Sequence, residues 1–388
     1  MRLIYLLLSP TFGMHQYTAD LANRLAAEPG IEVHLVTTAT LPRDRYSPAV
    51  RIHTPVTTHG TGFAREGLDP VALRRILQTI DQIAATPHSP VPSPQPPAPT
   101  PHSPPPILHL PAVHLWNLAL VPALRRRGYR VIQTLHDLDP HVGVRFGPLI
   151  RLWNRLIVRS ADRLLVHGDL YRQRLLAQGV APERVVAIPL LHGFLSYQQS
   201  GLPAALSEQG LAWQPWALFF GRLERYKGVT TLLEAATLAG QDGDSSLRLL
   251  LAGQGDLLSL WPRPLPPGVE LRQRPIDDAE AIDLFRRCGL LVLPYLDATQ
   301  SALVAAAYAF RKPVLVTQTG ALPEYVQDGV TGWVIPPGDP ATLAQVLQAA
   351  LSDPQRLAAM GQAGWQWYQA QRVQEYGALL DLYRRWGD

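Results

Sequence analysis

Two cations in the stretch 219–235, FFGRLERYKGVTTLLEA, have the types and spacing for phosphate chemistry. Residues 216–220 form an apolar run ending at Gly221, the composition of a buried strand, and Leu232, Leu233 and Ala236 follow at helical spacing. Arg222 and Lys227 fall between them, at the mouth of the strand. In an open α/β sheet, ligands bind outside the carboxyl ends of the strands. Two cations there, beside a helix start, make a seat for a diphosphate. Of the chain's 35 basic residues only Lys227 and Lys312 are lysines. A lysine kept where arginine is the rule suggests a site needing a compact point charge, rather than a turn on a solvated face. A second candidate pair, His136 and Asp137, opens HDLDPH at the end of the predicted strand 129–135. A histidine satisfied by the backbone is the plainer alternative. With His141 the pair could ligate a metal, but the spacing matches no familiar zinc pattern, and no metal is expected.

These residues need a frame, and 388 residues with 47% hydrophobic content predict two domains with large cores. A net charge of +4 suits an anionic ligand or an anionic membrane surface without demanding nucleic acid, for which no binding signature is present. The lone Cys288 excludes intramolecular disulfides and fits a reducing compartment; it lies in an apolar run and reads as inert core. No run of about 18 apolar residues predicts a membrane span, and MRLIYLLLSPTF reads as a first buried strand rather than a leader. The expected location is cytoplasmic, with peripheral contact at the inner membrane face as an option. All twelve His lie at or before His192 and both Lys lie after it, so the two halves carry different chemistry.

Along the chain, strand 2–9, a loop 10–16 holding Gly13, helix 17–27 and strand 31–36 open a doubly wound parallel sheet. The loop is not G-x-G-x-x-G, which counts against a nicotinamide dehydrogenase. Gly13 could let backbone approach a phosphate or sugar, or simply make a turn. After a helix at 71–84, eleven of the twenty residues 87–106 are Pro. That run reads as an extended surface insertion, since strand-like ILHL resumes the alternation. The helix 148–160 carries Arg151, Arg155 and Arg159, then Arg163, at i, i+4 spacing, with Leu152, Trp153, Leu156 and Ile157 as apolar residues. It is either a solvated face or a basic amphipathic surface for an anionic membrane. An irregular stretch near 192–213 reads as the linker. The second half repeats the α/β pattern, with LRLLLAGQGD as a strand ending in Gly253 and Gly255, a helix over 300–310, and a final amphipathic segment over 371–386. The fold class is α/β, with domains at 1–200 and 201–370 and a last helix over 371–388.

The segments FGRLERYKG, LAGQGD, LPYLDATQS, AFRKPVLVTQTGALPEYVQDGVTGWVIPPGDPATLA and, earlier, TLHD resemble the retaining glycosyltransferases of family 4. That resemblance implies a GT-B fold, two facing Rossmann-like domains. The second domain would bind a nucleotide-sugar donor and the first a saccharide or lipid acceptor, with no metal. It implies that Arg222 and Lys227 hold the donor diphosphate and that Gly253 and Gly255 shape the loop near the nucleotide. It also implies that Gly13 approaches the donor, and that His136 lies beside the transferred sugar with Asp137 orienting it. The last helix would cross back to the first domain.

One departure stands out. The family's E-x7-E motif would place Glu at 298 and 306, where this chain has Ala298 and Ala306. A branch of the family carries a similar TQS variant, which implies donor contacts from Thr299, Gln300, Ser301 and Ala302 at the helix start. Glu324, in GALPE, reads as structural. Loss of both glutamates also admits a non-catalytic nucleotide- or glycan-binding protein, and the fold is shared with nucleotide-sugar epimerases.

Overall fold

The computed structural model describes residues 1–9, 11–57, 69–86, 106–138, 147–193, 214–241 and 247–387. The first half builds β1 (Arg2–Leu7), α1 (Phe12–Ala26), β2 (Glu32–Thr38), β3 (Arg51–Val56), α2 (Pro70–Ala85), β4 (Ile107–Leu110) and α3 (Asn117–Arg126). Then come β5 (Arg130–Leu135), α4 (Gly147–Ser160), β6 (Arg163–Val166), α5 (Asp169–Ala177) and β7 (Val185–Ala187). The second half builds β8 (Ala217–Phe220), α6 (Val229–Gln241), β9 (Leu249–Ala252), α7 (Leu257–Leu260), β10 (Val269–Arg272) and α8 (Asp278–Arg287). It continues with β11 (Leu290–Leu293), α9 (Ala302–Ala309), β12 (Val314–Thr317), β13 (Gly332–Ile335), α10 (Pro340–Leu351) and α11 (Pro354–Gly387).

The strands form two parallel sheets, ordered β3-β2-β1-β4-β5-β6-β7 and β10-β9-β8-β11-β12-β13. Each is covered by helices, so its strands are apolar almost throughout: β9 and β11 are buried at every residue. In both sheets the order reverses beside the first strand, at β1/β4 and at β8/β11. Such reversal points are where open α/β sheets leave a crevice for ligands.

The loops at the carboxyl ends of the two sheets touch. Tyr171 of α5 donates its hydroxyl to the Ala298 carbonyl beyond β11 at 3.4 Å. The Leu190 amide donates to the Tyr325 hydroxyl beyond β12 at 2.8 Å. Helix α11 ties the lobes from behind. Near its start it packs on α9, where a Cβ at Gly364 would strike the Tyr308 ring. Midway along it Arg372 grips both carboxylate oxygens of Asp20 at 2.8 Å, and Glu375 accepts from Arg24 at 2.7 Å. Further on, the Tyr383 hydroxyl meets His109 at 2.6 Å and Tyr5 at 3.1 Å.

Three readings of the sequence change here. The expected loop 10–16 is mostly helix: α1 starts at Phe12, so Gly13 sits in its first turn. Strand β3 was not anticipated; it is an edge strand containing Pro55. The last helix is one continuous element from Pro354, not one that starts near 371. Most of the Pro-rich stretch, residues 58–68, His141 and the linker region 194–213 lie outside the described residues. Strand β4, directly after the Pro-rich stretch, pairs with β1.

Candidate functional site

The loop after β8 is held against the loop after β9. Gly221 donates to the Ala252 carbonyl at 2.9 Å and Leu223 to the Gln254 carbonyl at 2.6 Å. Gly253 and Gly255 make this approach possible, with φ of +149° and +152°. A Cβ at either would strike the Gly221 or Leu223 carbonyl oxygen. Their role in this structure is therefore to seat the segment carrying Arg222. Beyond it, Arg225–Lys227 forms a single 3-10 turn leading into α6.

Arg222 is largely exposed, paired with Glu224 at 2.7 Å, and donates to the Tyr226 hydroxyl at 3.3 Å. Lys227 reaches across the β8/β11 crevice. Its Nζ donates to the Tyr295 hydroxyl at 3.2 Å and lies 4.8 Å from that ring's centroid. Burial alone would lower its pKa; the Tyr295 and Tyr226 hydroxyls outweigh that and raise it, so the ammonium keeps its proton. Among the described residues no carboxylate pairs with Lys227. Tyr226 sits between the two cations, with its ring centroid 5.9 Å from Lys227 Nζ. The predicted pair is thus brought together, at the topological switch point of the second sheet.

The residues replacing the family's motif continue this wall. Ser301 caps α9, its hydroxyl accepting from the Leu303 amide at 3.3 Å. The Thr299 carbonyl accepts from Ala321 at 2.9 Å. Gln300 Oε1 is buried without a partner, an acceptor left open beside the helix start. Ala302, the first residue of α9, is partly buried. Ala298 and Ala306 are 5% and 3% exposed, so both motif positions are closed within apolar packing.

On the first lobe, His136 directly follows β5. Its Nε2 lies 2.9 Å from the Pro111 carbonyl oxygen, and burial holds the imidazole below its ordinary pKa. The neutral ring therefore carries its proton on Nε2, which leaves Nδ1 as an acceptor. The Asp137 and Leu138 carbonyls accept from Asn154 of α4 at 2.9 and 2.8 Å, which fixes the loop. No hydrogen bond among the described residues joins His136 to Arg222 or Lys227. Gly13, in the first turn of α1, has no atom within 4 Å of where a Cβ would stand.

The ring cluster around His136 becomes visible only in the fold. Tyr17 lies edge-on to His136, His167 and His192 at 4.8, 5.3 and 5.5 Å. His167 Nε2 and His192 Nδ1 are buried without hydrogen-bond partners. Four segments contribute these rings, so no local spacing could have signalled them. Among the described residues no group of three or more His, Cys, Asp or Glu converges as a metal site.

The family model described as glycosyl transferases group 1 matches residues 214–353, and the model for a glycosyl transferase 4-like domain matches 12–190. The D-inositol 3-phosphate glycosyltransferase 1 of Catenulispora acidiphila is 28% identical over 403 residues, covering 96% of this chain and 90% of that protein. A D-inositol 3-phosphate glycosyltransferase of Streptomyces scabiei is 27% identical over 406 residues, covering 96% and 88%. Among solved structures, Anabaena HepE in complex with UDP and glucose superposes with a TM-score of 0.66 at 18% identity, covering 98% of both chains. The sucrose-phosphate synthase of Thermosynechococcus elongatus gives 0.69 at 22% identity, covering 99% of both. At these identities the structural matches carry the fold, which is GT-B.

Proposed function

We infer the reaction from one premise: this chain belongs to the glycosyltransferases of family 4, enzymes of GT-B fold. It moves a sugar from a nucleoside-diphosphate sugar to a saccharide or lipid acceptor, with retention at the anomeric carbon and without a metal. The bond between the anomeric carbon and the diphosphate oxygen breaks, and its electron pair leaves with the diphosphate. Lys227 and Arg222 stabilise that charge as it develops. The acceptor hydroxyl attacks from the same face and gives its proton to the departing phosphate oxygen. His136, neutral with Nδ1 as acceptor, positions the sugar, and Asp137 holds the loop that orients it. Gly13, at the α1 N-terminus, faces the donor phosphates. Gln300, with Thr299, Ser301 and Ala302, takes over donor contacts in place of the two glutamates.

One observation carries this reading. A half-buried lysine, one of two in the chain, stands charged at the switch point with a tyrosine hydroxyl as partner and no carboxylate among the described residues. Such a group fits an anion that arrives with the substrate. UDP-glucose, which another HepE structure contains, is the first donor to test. An inositol phosphate, the acceptor type in the relatives' names, is the first acceptor. Release of nucleoside diphosphate would be followed across a donor panel, with and without acceptors. Lys227→Ala and Arg222→Ala should each cut turnover by about 10²–10³-fold; wild-type turnover in either variant overturns the assignment.

The burial of Ala298 and Ala306 favours a second reading, a protein that binds nucleotide or glycan without turnover. Donor binding with neither transfer nor hydrolysis across the full panel would select it.

A further inference from the structure

Helix α4 turns one face to the site and the opposite face to solvent, and the solvent face has an unusual composition. Inward, Trp153, Asn154, Ile157 and Val158 are buried, and Asn154 holds the Asp137 and Leu138 carbonyls. Outward lie Leu149, Leu152 and Leu156, which are 49%, 52% and 43% exposed. They are three of the nine large apolar side chains found exposed among the described residues, so they make a patch rather than scatter. At 3.6 residues per turn these leucines fall on one strip, and Arg151, Arg155 and Arg159 fall on the strip beside it. All three arginines are exposed, and none has a carboxylate partner among the described residues. They open onto a surface cavity of about 480 Å³ between α4 and the turn at Gln178–Val180, whose lining includes Arg184 and no carboxylate.

We propose that this face of α4 docks the protein peripherally on an anionic lipid bilayer. The helix would lie in the interface plane with the leucine strip in the acyl boundary and the arginines among lipid phosphates. The two parallel strips fit this geometry. Leucines reach below the headgroups while arginine stems run along the apolar surface and raise their guanidinium groups to the phosphates. A soluble polyanion would use the arginines but leave the leucines without a role. The cavity behind them has room for a phosphate headgroup. Because Asn154 on the inner face grips the His136–Asp137 loop, docking would put that loop about one helix diameter, ~10 Å, from the membrane surface. The inference stands apart from the proposed reaction, since vesicle binding is read without donor or acceptor.

The test is co-sedimentation of the full chain with vesicles of phosphatidylcholine alone and of phosphatidylcholine mixed with phosphatidylglycerol. The expected result is pelleting with the anionic vesicles only, weakening as salt rises. R151Q/R155Q/R159Q should lower partitioning about a hundredfold, taking about fivefold per arginine. L149S/L152S/L156S should abolish binding to anionic vesicles. Every substituted residue is exposed, so both variants should keep the wild-type melting temperature, which is checked. Absence of wild-type pelleting with anionic vesicles overturns the proposal. So does wild-type pelleting by the leucine variant, which would mark the arginines as a site for a soluble polyanion or an acidic protein. Equal binding to neutral vesicles overturns it as well.

Discussion

Replacing Glu324 by Ala should weaken the junction between the lobes, and the size of the effect can be worked out. Helix α5 has Gly168 at its N-cap and no capping bond from its own side chains. The cap comes from the other lobe: Glu324 Oε2 accepts from the Asp169 amide at 2.6 Å, and Oε1 accepts from the Leu170 amide at 2.9 Å. Removing a capping side chain costs about 0.5–2 kcal/mol, and losing a carboxylate at a helix N-terminus about 0.3–1 kcal/mol more. Glu324 is exposed, so solvent takes over part of both terms, and about 1.5 kcal/mol is the working figure. For lobes of this size that lowers Tm by about 3–6 °C. If closure of the lobes is coupled to donor binding, the same figure raises the apparent Kd about tenfold. Glu324→Gln keeps one acceptor and should fall between. Gly168→Ala offers an independent check at the same junction, because its Cβ would stand 2.6 Å from the Ala321 Cβ and 3.1 Å from Glu324 Oε2. Thermal melts and donor titrations of the three variants make the assay. An E324A protein melting within about 1 °C of wild type, with unchanged donor affinity, would refute the idea that one lobe caps a helix of the other.

Returning a glutamate to the second motif position should harm the protein. Ala306 lies in apolar packing, so Ala306→Glu buries an unpaired carboxylate at a cost of about 3–5 kcal/mol; a wild-type melting curve with tighter donor binding would show instead a place waiting for that carboxylate. Stability should fall as pH drops from about 6.5 toward 4. Burial lowers His15, His34 and His192 to about 4 and His109 to about 3, against 6.5 when unfolded. In that window the unfolded chain binds more protons, so stability rises with pH, by about 1.4 kcal/mol per unit for each such imidazole. Urea midpoints near pH 7 and near pH 5 measure this, and equal midpoints would contradict it.

The alternation of strands and helices was legible because parallel strands covered on both faces must be apolar along their length, as Leu249–Ala252 is. Strand β3 was not, because an edge strand can expose Arg51 and tolerate Pro55, which breaks that pattern. The length of α11 was not legible, because Gly361 and Gly364 interrupt the helix-forming residues of 354–370. They are the places where the helix presses on the Arg311 carbonyl and the Tyr308 ring. The start of α1 was misplaced for a related reason: a glycine costs little in a first turn, so Gly13 did not mark a loop. At the site, Arg222 and Lys227 could be found because one short segment carries both. Tyr17, His167 and His192 could not, since only the fold brings them around His136. Glu324 reads as structural in the sequence, but its partners, two amides in the other lobe, lie 154 and 155 residues away.

The most direct test is calorimetric titration of the wild-type chain and of Lys227→Ala with a nucleoside diphosphate, in the presence of a metal chelator. The wild type should bind measurably, and the variant should lose about 1.5–3 kcal/mol, roughly 10–150-fold in Kd. Equal affinity in the two proteins would contradict the claim that Lys227 holds the departing diphosphate.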